Sequence, residues 1–364
     1  MKLLWRPRLP VPSFFIPKTT INSCQNSSTK SSDPLRILFC GSDEFSIASL
    51  RAVHKEHLRD PKLIASIDVV HRPGKRTGRG LKLVREVPIK KTAEELKLNT
   101  HEIDTFTGWK PPSPQNEAIN LVVAVSFGLL VPPRILNGTK YGGLNVHPSL
   151  LPDLRGPAPI HHTLLQRRQR TGITVQTLHP KHFDQGMVLA QTPAPGLVIP
   201  NQDSCTPSQL LQYLAPLGGE MLVETLRSQA FVPPLEDVGW NGKSICEMEL
   251  KHAPKIQKED SRIDWNVWTA DDIFLRNRVL GDLWTTVPWS EDRFNDGTTA
   301  WSIQKRIIFH QFVPISTAYN TIPEVRVGSL FLQKDGQSVE GGKKGNGIRE
   351  ILLNSHRFNI LEHA

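Results

Sequence analysis

Residues 119–128 read INLVVAVSFG, an almost unbroken apolar run, and it restricts the folds open to this chain more than any other stretch. A strand wetted on one face alternates apolar and polar residues. A strand-length run without that alternation must be covered on both faces. The fold therefore needs helices above and below a central sheet, and the flanking sequence supplies them. PLRILFCGSDEFSIASLRAVHKEHL predicts a buried strand over 36–40, a turn at Gly41 and a helix to about Leu58. Residues 62–70 predict a second strand, 90–97 a helix, and 100–103 a short strand. GGLNVHPS reads as another strand, PIHHTLLQRRQ as a helix and TGITVQTLHP as a further strand. TPSQLLQYLAPLGGEMLVETLRSQ opens with Thr206 as N-cap, Pro207 at the first helical position and Gln209 three residues after the cap, a well-marked helix start. Strands alternating with helices over 35–229 predict an α/β doubly wound sheet. FCGSDEFS has one glycine after its strand, so the dinucleotide fingerprint is missing and hydride transfer from NAD is disfavoured.

Beyond 229 the composition changes. VPPLEDVGWNGKS is polar and punctuated by Pro and Gly, so 230–255 reads as a linker. WSIQKRIIFHQFV, VRVGSLFLQ and the helix-like ADDIFLRNRVLGDL predict a small β-rich second domain over 256–364. At the other end, residues 1–33 resemble an organellar transit peptide. Lys2, Arg6, Arg8, Lys18 and Lys30 lie among many Ser and Thr, and the first acid is Asp33. A plain disordered terminus is the alternative. Without those five charges the balance is 39 basic against 35 acidic residues, so local patches matter more than the net +9. The four cysteines are scattered and form no CxxC, which argues against a zinc site or a disulfide framework. No run approaches the roughly 20 apolar residues of a membrane-spanning helix.

The polar residues that could do chemistry lie at the end of a strand. In GLNVHPSLLPDLRGPAP, Asn145 and His147 point to the same side of an extended chain. Asn supplies an N–H for a developing oxyanion, and His moves protons near neutral pH. Asp184, in HFDQGMVL, could orient such a His. Each signal has a plainer reading as well: a His satisfied by loop backbone, an Asn capping a turn, and an Asx-turn at Asp184.

The ordered blocks LNVHPSLLPDLRGPAPI and TGITVQTLHPKHFDQGMVLAQ together resemble the formyltransferase family that uses 10-formyltetrahydrofolate. Its hallmark is N-x-H-x-S-L-L-P with a downstream Asp before Gly. LRILFCGSDEFS and LVVAVSFGLLVPP are similar to that family's first strand and to the strand before its folate pocket. The resemblance covers about 35–229. It implies a Rossmann-like formyltransferase domain over 34–229, with Asn145, His147 and Asp184 as catalytic trio. It also implies Ser149, Leu150, Leu151 and Pro152 as tetrahydrofolate-binding loop, 10-formyltetrahydrofolate as co-substrate, and no metal.

The acceptor is addressed by two further segments. HRPGKRTGRGLKLVREVPIKK sets Arg72, Lys75, Arg76, Arg79, Lys82, Arg85, Lys90 and Lys91 against one acid, Glu86. With Gly74, Gly78 and Gly80 it reads as a flexible cationic loop, suited to phosphate contacts or simply solvated. ELKHAPKIQKEDSRIDW resembles the opening of the C-terminal domain in the family branch that formylates methionyl-tRNA, and the basic loop resembles that branch's inserted loop. The resemblance implies a smaller C-terminal OB-like β-barrel domain contacting tRNA. It further implies Arg72, Lys75, Arg76, Arg79 and Lys82 as tRNA-binding residues, initiator methionyl-tRNA as acceptor, a monomer, and a mitochondrial matrix location. The chain ends DGQSVEGGKKGNGIREILLNSHRFNILEHA without that branch's usual closing segment, and residues beyond Asp335 are expected to lack order. Two other readings stay open: a formyltransferase acting on a small amine, and a non-catalytic RNA-binding protein.

Overall fold

The computed structural model describes residues 30–240, 250–289, 303–310, 312–314, 348–353 and 356–361. Strand β1 (Leu35–Gly41) leads into helix α1 (Glu44–Arg59). Asp43 makes the change of direction possible: its carboxylate accepts the N–H of Ser46 at 3.0 Å, one of the donors a first helical turn leaves without partners. β2 (Ile64–His71) follows, then a small hairpin of β3 (Lys75–Thr77) and β4 (Leu83–Arg85), helix α2 (Pro88–Glu95) and β5 (Asn99–Glu102). β6 (Leu121–Val125) is buried at every position, as its unbroken apolar run requires. After α3 (Pro133–Leu136) and β7 (Gly143–His147) come α4 (Pro159–Leu165), β8 (Arg170–Thr171), β9 (Thr174–Thr177), β10 (Val188–Gln191) and β11 (Leu197–Val198). Helix α5 (Pro207–Arg227) begins at the expected capping box. The Gln209 N–H donates to Thr206 Oγ1 at 3.2 Å, and the Thr206 N–H donates to Gln209 Oε1 at 2.9 Å.

The main sheet has the order β10-β9-β7-β6-β1-β2-β5. Strands β7, β6, β1, β2 and β5 run parallel, while β9 is antiparallel to both β7 and β10. The sheet is thus parallel-dominant, with one reversed strand, β9, next to the edge strand β10. Alternate residues of β1 and β6 feed two cores. Ile37, Phe39, Leu121 and Val123 pack on the side of α1 and α5, and Leu38, Cys40, Val122 and Ala124 pack against Phe106, Phe127 and Ile135.

Helices α1 and α5 approach closely because Gly219 offers no side chain. A Cβ there would lie 3.0 Å from the carbonyl oxygen of Ala48. An ionic contact fixes the same pair: Glu56 of α1, 2% exposed, accepts from Arg227 of α5 at 2.9 and 2.5 Å and from Arg59 at 2.8 Å.

The second unit holds α6 (Ala270–Leu280), β12 (Leu283–Trp289) paired with β13 (Ile303–Phe309), and a three-stranded sheet of β14 (Phe312–Pro314), β16 (His356–Leu361) and β15 (Ile348–Leu353). Its core includes Ile263, Ile273, Leu283, Phe309 and Phe312. The β15–β16 hairpin occupies part of the tail expected to lack order. The VRVGSLFLQ strand, most of the presequence-like start and residues 241–249 fall outside the described residues. The end of the expected linker is strapped to the first unit. Leu154 N donates to Lys251 O at 2.8 Å, Ala253 N to Arg155 O at 2.7 Å, and Ala158 N to Ala253 O at 3.2 Å.

Arg227, bonded to Glu56, holds that carboxyl below the usual carboxylate range. A depressed folded pKa adds stability that is complete above the unfolded value and is lost as pH falls through the folded one. Arg227→Met should therefore cost about 2 kcal/mol at pH 7. That is less than for a fully buried pair, because Arg227 is 37% exposed and Arg59 remains. The difference from wild type should shrink toward zero as Glu56 protonates in acid, which urea unfolding at pH 7 and pH 3 measures.

Candidate active site

β7 ends at the carboxyl edge of the parallel strands, where ligands gather in sheets of this class. Its pairing with β6 and β9 leaves Asn145 and His147 on one face, opposite Gln176 and Thr174 of β9. The chain then turns through Pro148 to Pro159, and this loop supplies backbone groups to the site. His147 is 5% exposed. Its Nε2 lies 3.0 Å from the carbonyl of Leu154. A carbonyl can only accept, so Nε2 carries the hydrogen and Nδ1 is the atom left to exchange a proton. Nδ1 sits 3.5 Å from Asp184 Oδ1.

Asp184 reaches this position because loop 178–187 folds back over the face of β7 and β9. The residue adopts a left-handed backbone (φ 54°), which Asp tolerates better than most. Its Oδ2 accepts the N–H of Gly156 at 2.9 Å, and its Oδ1 accepts from Gln176 Nε2 at 3.3 Å. Asn145 Nδ2 donates one hydrogen to Ala124 O at 2.9 Å, and its second hydrogen is available to a ligand. The three residues singled out in the sequence are brought together: His147 Nδ1 faces the Asp184 carboxylate, and Gln176 Nε2 donates to both Asp184 Oδ1 and Asn145 Oδ1.

They line a cavity of about 940 Å3, within the usual range of small-molecule sites. Phe127, Leu129 and Val131 make one wall apolar, while His161, His179 and His252 lie on others. The sequence did not point to these walls; only the apolar LVVAVSFGLLVPP hinted at the first. Burial, and then the neighbouring His162, push the His161 imidazole below its ordinary range toward the neutral form. Asp43 also faces the cavity. Burial raises its carboxyl above the ordinary range, against the opposing effect of bonds from Ser46 and Ser126. Among the described residues no group of His, Cys, Asp or Glu could hold a metal ion.

Ser149, Leu150, Leu151 and Pro152 are placed elsewhere. They lie outside the cavity wall, and Ser149 and Leu151 are 1% and 2% exposed. Ser149 Oγ donates to Asp153 O at 2.7 Å, and Thr174 Oγ1 donates to Ser149 O at 2.7 Å. The segment's polar groups are spent on holding the loop against β9.

The basic segment leaves the sheet at the carboxyl end of β2, the same edge as His147. It is a hairpin rather than a loose loop: Lys75 pairs with Arg85 and Thr77 with Leu83. Lys75, Arg76 and Lys82 are exposed, whereas Arg72 is tied to Asp104 at 2.5 Å. Arg79 sits in the turn of the hairpin. Leu81, Leu83 and Val84 are also exposed, at 58%, 67% and 56%, so the hairpin is cationic and apolar together.

Gly156 joins the strap to the site. Its φ is +124°, and a Cβ there would run into the carbonyl of Ala253. Gly156→Ala should lower stability by about 2–4 kcal/mol, as read by urea unfolding, because loop and strap cannot both keep their places.

The family model described as "Formyl transferase" matches residues 35–226, more than half of the chain. The mitochondrial methionyl-tRNA formyltransferase of Saccharomyces cerevisiae is 30% identical over 94% of this chain and 87% of its own length. The human mitochondrial methionyl-tRNA formyltransferase is 33% identical over 71% of this chain, and the match spans 60% of the human protein. Methionyl-tRNA formyltransferase of Geobacter sulfurreducens is 32% identical over 73% of this chain and 76% of its own. The chain belongs to the formyl transferase family.

Proposed function

We propose that this protein transfers the formyl group of 10-formyltetrahydrofolate to the α-amino group of methionyl-tRNA, in mitochondrial translation initiation. The observation that carries the reading is the convergence of Asn145, His147 and Asp184 on the wall of a cavity of about 940 Å3, with His147 Nδ1 3.5 Å from Asp184 Oδ1. The attacking amine adds to the formyl carbon. The free Nδ2 hydrogen of Asn145 donates to the oxygen that becomes an oxyanion. His147 Nδ1 takes the proton released by the amine, and Asp184 stabilises the resulting imidazolium. On collapse, the bond from the formyl carbon to folate N10 breaks and Nδ1 returns its proton to that nitrogen. No net charge or proton is left over.

The apolar wall of Phe127, Leu129 and Val131 suits a flat pterin, and Ser149 to Pro152 support the donor site from behind. Lys75, Arg76, Arg79 and Lys82 of the hairpin, with Arg72 at its base, are the residues proposed to meet tRNA phosphates. Arg72 must loosen from Asp104 to do so. The second unit is read as an OB-like barrel that adds tRNA contacts, and its Arg262 and Arg306 already stand over the Trp284 ring at 5.5 and 4.3 Å. The mitochondrial setting follows the names of the yeast and human relatives and the presequence-like composition of residues 1–33.

The decisive assay offers the purified protein 10-formyltetrahydrofolate with methionyl-tRNA, free methionine or a small amine. Formyl transfer should be confined to methionyl-tRNA. Transfer to the small amine with none to charged tRNA would sink the reading. His147→Ala should abolish turnover while tRNA binding persists. Replacing Arg76 and Lys82 with Ala should raise KM for tRNA and flatten its salt dependence by about one phosphate contact per residue lost; an unchanged salt slope would rule out phosphate contacts there.

A further inference from the structure

The sequence gives Gln176 no role, yet it is 1% exposed and sits directly opposite Asn145 in the β7–β9 register. Its Oε1 accepts the N–H of Gly186 at 3.0 Å. A backbone N–H can only donate, so this contact settles which end of the Gln176 amide is oxygen. Gly186 has little room to move, because a Cβ there would collide with the carbonyl of Thr177. Nε2 then points its two hydrogens at two acceptors, Asn145 Oδ1 at 3.2 Å and Asp184 Oδ1 at 3.3 Å.

We propose that Gln176 is a positioning residue, which sets the orientation of the Asn145 amide and joins it to Asp184. An Asn side chain can sit either way round. With its oxygen toward the cavity, Asn145 would present a lone pair where the oxyanion forms and would oppose the reaction. Gln176 Nε2 on one side requires Oδ1 of Asn145, and Ala124 O on the other requires Nδ2. The flipped amide would set N–H against N–H and oxygen against oxygen, losing both bonds. Only the orientation that leaves one Nδ2 hydrogen for the oxyanion satisfies both neighbours. This assignment rests on the formyl-transfer reading above, and it adds a residue outside the catalytic trio.

The test compares Gln176→Met, which keeps the length without the donors, with Gln176→Glu, which keeps an oxygen for Gly186 N–H. Both should lower kcat by about 10- to 100-fold, approaching the loss of a whole oxyanion donor, with KM for folate and methionyl-tRNA within about twofold of wild type. In an Asn145→Ala background, Gln176→Met should have little further effect on kcat. A kcat near wild type in both variants, a rise confined to KM, or full additivity with Asn145→Ala would overturn the assignment. Should wild type transfer no formyl group to any amine, the orientation is read without turnover from side-chain amide exchange by NMR. Slow exchange of the Asn145 hydrogen bonded to Ala124 O should be lost in Gln176→Met, and unchanged protection would again refute the proposal.

Discussion

The antiparallel pairing of β9 with β7 is the constraint on which the site depends. It puts Gln176 across from Asn145 and Thr174 across from His147, so β7 is gripped along its length just before it ends. It also sends the chain away from the carboxyl edge, which obliges loop 178–187 to fold back over the sheet. That return is what brings Asp184 to His147. In a uniformly parallel sheet the next strand would run the other way, and its following loop would emerge at the edge instead of lying across the face.

The second support comes from beyond the sheet. The strap at 251–254 is bonded to the backbone of Leu154, Arg155 and Ala158, and this loop supplies Leu154 O to His147 and Gly156 N to Asp184. The chain segment leading to the second unit is therefore part of the scaffold that holds His147 and Asp184. Two backbone contacts, neither of them visible as a motif, hold the imidazole tautomer and the carboxylate. Because backbone groups cannot change protonation near neutral pH, they fix these two residues across the pH range in which His titrates.

Much of this was legible in advance. The unalternating run of β6 demanded cover on both faces, and the two cores provide it. The Thr206–Gln209 box started α5 at the expected residue, since its signal is local and self-contained. The shared side of Asn145 and His147 followed from strand geometry alone. What was not legible depends on distant pairing. A four-residue strand such as β9 looks the same in either direction, so neither its reversal nor the place of Gln176 could be read. The strap looked like a linker because its own contribution to those hydrogen bonds is main-chain, through Lys251, Ala253 and Pro254. The basic stretch looked flexible because its glycines also permit the turn of a β-hairpin, and Arg72 has a partner, Asp104, 32 residues away. Nor could the sequence show that the hydroxyl and carbonyl of Ser149 bond to Asp153 and Thr174.

The proposed mechanism gives the loop-borne carboxylate over His147 a part in the chemistry rather than in substrate capture. The most direct measurement is the single-turnover rate of formyl transfer by Asp184→Asn, with dissociation constants for folate and methionyl-tRNA measured on the same variant. The rate should fall by about 10²–10³-fold, because the imidazolium loses its stabilising charge, while both dissociation constants stay within about twofold. A rate within a few-fold of wild type, or a loss explained by weaker binding alone, would contradict it.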